Sequence, residues 1–343
     1  MRTFLITLIG IISCLTLENK RNRLVLIANE INSNPNSTWT ATTNFPKKVL
    51  EADYSSYFNI SYDDPKNITT LDSQPTYTKN IGSYPESLDL REKYPQCKSI
   101  SLIRDQSSCG SCWAVSAAAT ISDRICISSN LKDQTILSSA DLVSCCKMCG
   151  MGCNGGFLLP TWYYYVLKGI VTGGEYNSKA GCMPYPFQKC NHHSEGSYPN
   201  CSDLHYETPK CTSTCTNDYE KSYKDDKIKG KTAYQVKGEE AMIKELNENG
   251  SVQLAFIVYE DFMTYKSGVY KHTTGKKLGG HAVRLIGYGV ENSVKYWLIA
   301  NSWNDNWGVN GTFKIIRGEN NCQIESMGVA GLVSSSAIGT TEI

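Results

Sequence analysis

The chain has 343 residues, 41% of them hydrophobic and 20% charged, with a formal net charge of +1. That length allows two modest core-forming units, and the near-zero charge speaks against a general nucleic-acid binder, which needs a basic excess. The composition is not that of a disordered chain, no apolar run reaches the ~20 residues of a membrane span, and fifteen cysteines argue against a reducing cytosol.

In chain order, Arg2 precedes an apolar stretch from Phe4 to Leu17, followed by polar Glu18-Asn19-Lys20. This is the pattern of a signal peptide over residues 1–17, which takes Cys14 with it. Residues 18–83 contain no cysteine and are rich in Asn, Thr, Ser and Lys. They hold a helical patch from Leu24 to Ile31 and end in a linker-like stretch from Pro75 to Pro85. We read 18–83 as a removable prosegment lying in the cleft of a mature unit, 84–343. Six Asn-X-Ser/Thr sequons, at Asn36, Asn59, Asn67, Asn200, Asn249 and Asn310, are candidate glycosylation sites. With the signal peptide they imply the secretory pathway and a lysosomal or extracellular destination.

Within the mature unit, Cys112 to Ile127 is alanine-rich with few breakers and predicts a helix. Thr161 to Lys168 predicts another, entered through Pro160. Val252–Tyr259, His281–Tyr288 and Tyr296–Ala300 are β-rich apolar runs bounded by Gly or Asn. A mainly helical half (about 84–230) therefore precedes a mainly β half (about 231–333), an α+β arrangement, and the tail from Ser334 frays.

The strongest signal is Gln106-Ser107-Ser108-Cys109-Gly110-Ser111-Cys112-Trp113. Cys112 stands where the long helix begins, and the N–H groups and dipole there favour a thiolate. A thiolate nucleophile needs a base, and the base needs an orienting group. Gly279-Gly280-His281-Ala282 supplies an imidazole at a strand start, and Asn301-Ser302-Trp303 an amide after a strand end.

These segments resemble the signature of the papain-like cysteine proteases. The resemblance implies a two-domain fold, a helical left domain and a β-barrel-like right domain with the cleft between them. It implies Cys112 as nucleophile, His281 as acid/base in a thiolate–imidazolium pair, and Asn301 as orienter of the ring. Gln106 would donate to the oxyanion together with the Cys112 N–H, and Trp303 would cover the His–Asn bond.

His281 lies 169 residues after Cys112, against about 130–150 usual for that family. The extra length falls in the cysteine-dense stretch from Cys182 to Cys215, which contains Cys190-Asn191-His192-His193 and Cys201. This resembles the occluding loop of cathepsin B-like enzymes, here 190–201, and implies peptidyl-dipeptidase as well as endopeptidase activity. Imidazolium groups of His192 and His193 would hold the free carboxylate of a substrate. A papain-like endopeptidase without dipeptide release is the alternative. A non-enzymatic relative is disfavoured because Cys112, His281, Asn301 and Gln106 are intact.

By the same resemblance Gly155, Gly156, Phe157, Ala255, Ala282 and Met327 line the substrate site. Bridges join Cys97–Cys126, Cys109–Cys153, Cys145–Cys211, Cys146–Cys149, Cys182–Cys215 and Cys190–Cys201, and Cys322 stays free. Implied partners are peptide and protein substrates, the chain's own propeptide as inhibitor, and cystatin-type inhibitors. No cofactor or metal is called for. A zinc site from Cys190, His192, His193 and Cys201 is disfavoured, because secreted cysteines oxidise and adjacent histidines rarely share one tetrahedral ion. Three positions depart from the pattern: Met327 where an acid is usual, and Tyr198 and Asn306 where an Arg–Asp tether is usual. Asp305 is no equal substitute, whereas Asp105, the expected partner of His192, is present. The loop is therefore expected to be held at one end only.

Overall fold

The computed structural model of the chain describes residues 21–45, 75–193, 196–216 and 218–334. The expected signal peptide, Asn59 and Asn67, and residues 18–20 and 46–74 of the expected prosegment lie outside the described residues. The elements open with α1 (residues 21–33), β1 (Trp39–Ala41) and β2 (Leu88–Asp89). The helical half follows with α2 (Leu90–Lys93), α3 (Lys98–Ser101), α4 (Cys112–Ser128), α5 (Ser139–Cys145) and α6 (Leu158–Leu167). The β half runs β3 (Tyr234–Val236), α7 (Glu239–Glu248), β4 (Val252–Tyr259), β5 (Tyr265–Tyr270), β6 (Lys277–Glu291), β7 (Val294–Ala300), β8 (Thr312–Ile316) and β9 (Gly328–Ala330).

Helix α4 is built for the interior: every residue from Cys112 to Cys126 is buried. Small and apolar side chains on all faces suit a helix enclosed on all sides. Two of its buried hydroxyls bond within the helix, Ser116 Oγ to Cys112 O at 2.6 Å and Ser122 Oγ to Ala118 O at 2.7 Å. Trp113, Trp162 and Tyr165 fill the core it shares with α6. A second core, with Phe256, Phe313 and Trp297 from the sheet, also takes in Leu24, Ile27, Ile31 and Trp39 of the prosegment.

The strand order is β1-β5-β8-β7-β6-β4-β9-β3, with β2 pairing β6. The β5–β8 pair is parallel and β6 is antiparallel to β4 and β7. The sheet does not close, so "barrel-like" is corrected to an open mixed sheet. Strand β4 falls where the sequence placed it. Strand β6 starts four residues earlier than expected, so His281 sits inside the strand, with Gly279 and Gly280 paired to Val258 and Ile257. Helix α6 starts at Leu158 and takes Pro160 into its first turn, where the missing N–H has no intrahelical partner to lose. Helix α7 was not anticipated; Gly238 caps it at φ 83° and Met242, Ile243 and Leu246 are its buried face. All six bridges implied by the resemblance are present, and among the described residues Cys112 and Cys322 take part in no disulfide.

Candidate active site

Three elements converge on Cys112. It is the first residue of α4 and fully buried. Backbone N–H groups of Ala282, Trp113 and Cys112 itself reach its sulfur, which places it beside His281 on β6. The ring of His281 is held by Asn301, just past the end of β7, with Nε2 2.8 Å from Asn301 Oδ1. A carbonyl oxygen only accepts, so Nε2 carries the hydrogen and Nδ1 is the basic nitrogen. Asn301 Oδ1 also accepts the Ser302 N–H at 2.8 Å, which fixes the amide flip. Trp303 stacks on the imidazole, centroids 4.9 Å apart and planes 25° apart, and shields the His–Asn bond.

Burial pushes the Cys112 thiol up to about 11, against the opposing N–H groups. Burial likewise pushes His281 down to about 4, outweighing the Asn301 bond. Burial thus opposes both charges of the expected thiolate–imidazolium pair, while the N–H groups at the sulfur and the Asn301 bond at the ring favour them.

Gln106 is fully buried. Its Nε2 donates to Cys109 O at 3.0 Å, its Oε1 accepts from Ser302 Oγ at 2.7 Å, and its N–H meets Ser302 O at 2.9 Å. Tyr185, which sequence reasoning missed, donates its hydroxyl to Gln106 O at 2.8 Å and lies 2.7 Å from Ser111 Oγ. No motif flags it; it is a tyrosine between two prolines.

On the apolar side, Ala255 of β4 pairs with Ala282 of β6, and its N–H reaches Met327 O at 3.0 Å. Phe157 caps α6 beside Gly155 and Gly156. A side chain at 156 would meet the Trp113 ring at 2.6 Å, so only glycine fits there.

The loop histidines also contact Trp303. His192 stacks on Trp303 at 5.9 Å, and His193 meets it edge-on at 5.2 Å. His192 Nε2 lies 2.7 Å from Asp105 Oδ1, as the resemblance implied. Burial alone would raise the Asp105 carboxyl, but His192, Asn304 and the Ser107 N–H outweigh it and hold it below its usual value. Burial, with His192 and His281 nearby, pushes the His193 imidazole well below its ordinary value. His192 Nε2 lies within 4.8 Å of the Cys190 and Cys201 sulfurs, but those sulfurs are joined to each other.

Tyr198 and Asn306 carry no charge, and at the end of the loop that Asp105 holds, Asn304 adds bonds to Asp105 Oδ2 at 2.9 Å and to Cys190 O at 2.6 Å. Asn191 donates to Gly196 O at 3.0 Å and to Tyr198 O across the loop. Of the sequons, Asn36 and Asn310 are exposed and Asn200 half-buried, whereas Asn249 spends its amide on Glu245 Oε2 at 3.3 Å.

Residues 84–332 match the profile of the papain family cysteine proteases. This chain belongs to that family. It is similar to a cathepsin B-like cysteine proteinase of Schistosoma japonicum, 52% identical over 252 residues covering 73% of this chain and 74% of the relative. It is also similar to cathepsin B-like cysteine proteinase 6 of Caenorhabditis elegans, 54% identical over 252 residues covering 72% of this chain and 66% of the relative. Among solved structures it is similar to proCathepsin B S9 from Trypanosoma congolense, with TM-score 0.74 and 37% identity over 90% of this chain and 97% of that one. A digestive procathepsin L 3 of Tenebrio molitor, at 19% identity and TM-score 0.66 over 94% of this chain and 93% of that one, shares the fold. The papain-family chain described here is a cysteine peptidase of cathepsin B type with a propeptide. No helix among the described residues is long and apolar enough to cross a membrane.

Proposed function

We propose that the chain is a zymogen which, once residues 18–83 are removed near Ile81–Pro85, cleaves peptides both internally and by releasing C-terminal dipeptides. The observation that carries this reading is the indole of Trp303, which the rings of His281, His192 and His193 all contact. His281 Nδ1 takes the Cys112 proton, and the two new charges stabilise each other against the desolvation that opposes them. The thiolate attacks the scissile carbonyl, and Gln106 Nε2 and the Cys112 N–H hold the oxyanion. The imidazolium then protonates the leaving amine, and water, activated by His281, hydrolyses the thioester. A substrate carboxylate arriving at His193 supplies the counter-charge that raises its pKa and lets it bind as a cation. Signal peptide, sequons and bridges support a secretory route to a lysosomal or extracellular site, where cystatin-type inhibitors are expected partners.

The test uses processed protein, an internally quenched peptide and a peptide with a free C-terminus. Native enzyme should cleave both, and Cys112→Ala neither. A native enzyme that cleaves the first but never releases a dipeptide from the second leaves the endopeptidase alternative standing.

A further inference from the structure

Beyond the attacking groups, the oxyanion side of the site is organised by one buried phenol. Tyr185 is 4% exposed and lies on the segment between Cys182 and Cys190 that leads into the loop. Its oxygen is 2.8 Å from the Gln106 carbonyl oxygen and 2.7 Å from Ser111 Oγ. The carbonyl accepts only, so the phenol hydrogen points to Gln106 and the Ser111 hydroxyl donates to the phenol. Ser111 immediately precedes Cys112, so its carbonyl and the Cys112 N–H belong to one planar peptide. Ser111 O in turn accepts the N–H groups of Ala114 at 2.9 Å and Val115 at 3.0 Å, the first turn of α4. The Gln106 carboxamide is anchored independently by Cys109 O and Ser302 Oγ.

We infer that Tyr185 is a positioning residue of the oxyanion site, its hydroxyl clamping Gln106 to the Ser111–Cys112 peptide so that both donors keep one spacing. Burial keeps the phenol protonated, well above its ordinary range, so the clamp does not titrate near neutral pH. Its outer face is packed, not free: Phe187 meets Tyr185 edge-on at 5.4 Å and stacks on Tyr206 at 4.2 Å. Those aromatics stand on either side of the loop 190–201, so the loop's two roots and the oxyanion donors share one aromatic stack.

This inference rests on the proposed peptidase reading, and the experiment separates the two. Processed native and Tyr185→Phe proteins are first titrated with a thiol-directed peptide epoxide, whose ring opening by Cys112 leaves an alkoxide that takes a proton and builds no tetrahedral oxyanion on a carbonyl carbon. The titre counts folded, reactive sites, and its loss in native protein would overturn the peptidase reading itself. With titre and epoxide rate within about twofold of native, kcat for an amide substrate should fall roughly tenfold at unchanged KM. That is part of the about 100- to 1,000-fold that loss of a whole oxyanion donor costs. Affinity for a peptide aldehyde, whose thiohemiacetal does place an oxyanion, should fall by the same factor. In a Gln106→Ala background the further loss from Tyr185→Phe should shrink to less than half its native size on a logarithmic scale, since one donor is already gone. Unchanged kcat and aldehyde affinity overturn the inference. So does a parallel fall of epoxide rate, kcat and aldehyde affinity, which marks a general structural role.

Discussion

Asn301 reaches the imidazole through a single bond of 2.8 Å, whereas Cys112 forms the covalent bond itself. Asn301→Ala should therefore keep measurable turnover where Cys112→Ala has none, a ranking that steady-state kinetics on titrated enzyme checks. Met327 is the residue whose consequence is most specific. Its backbone pairs with Ala255, and its side chain packs against the core that holds Ala255 and Ala282. An apolar floor leaves a substrate Arg without a partner, a loss of roughly 1–3 kcal/mol or about 5- to 150-fold. Phe, Leu or Val at the P2 position should be preferred to Arg, and Met327→Glu should restore Arg cleavage. Equal kcat/KM on matched Arg and Phe peptides in native enzyme speaks against this floor.

At the scale of elements, two carboxylates hold the prosegment. Glu260 takes Arg23 of α1 through Nε at 2.9 Å and Nη2 at 2.7 Å. Glu248 at the end of α7 accepts the N–H groups of Thr78 at 3.0 Å and Lys79 at 3.2 Å, and the Tyr84 hydroxyl. In both, burial alone would raise the carboxyl. For Glu260 the Arg23 bond outweighs it, and for Glu248 the Tyr84 hydroxyl and the two N–H groups do, so both are held below their usual value. Depressed carboxylates favour the docked state above the free value of about 4.3 and lose that contribution as pH falls through the docked value. Prosegment release should accelerate in acid. Glu248→Gln should speed release at neutral pH and flatten the acid dependence, and identical release profiles for the two proteins contradict the mechanism. The loop root is a second element-scale case. Asn304→Ala removes the bonds to Asp105 and Cys190 O and should raise endopeptidase activity relative to dipeptide release. An unchanged ratio between pH 5 and 7, roughly where histidine titrates, means Asn304 does not govern opening.

Across the whole molecule, buried charges tie the nucleophile's helix to the base's strand. Arg284, on the same strand as His281, donates to Asp123 of α4 at 2.9 Å and 3.0 Å, and to the carbonyls of Ser99, Ile100 and Leu102. One turn-neighbour away, Arg124 meets Glu245 of α7 at 2.6 Å and the Ser251 and Gly331 carbonyls. Cutting one partner strands a buried charge, so Asp123→Ala should cost about 3–5 kcal/mol in urea unfolding with the bridges intact. Asp123→Ala with Arg284→Met should cost less than the two single changes added together. Strict additivity means the two side chains do not act as a pair.

The sequence by itself determined the helix from Cys112 and strand β4, because each rests on local pattern, whereas the Cys112–His281–Asn301 set and the Asp105–His192 contact were implied by the resemblance to a known family. It misjudged what depends on distant partners. Whether His281 begins a strand was decided by β4, whose backbone draws Gly279 and Gly280 into the ladder. The extra hold at the Cys190 end of the loop was hidden because Asn304 looks like any polar loop residue until folding sets it between Asp105 and Cys190. Tyr185 was silent for the same reason. The environment of the ionisable pair was likewise decided by the tertiary structure: sequence supplies the groups, whereas burial pushes Cys112 up and His281 down.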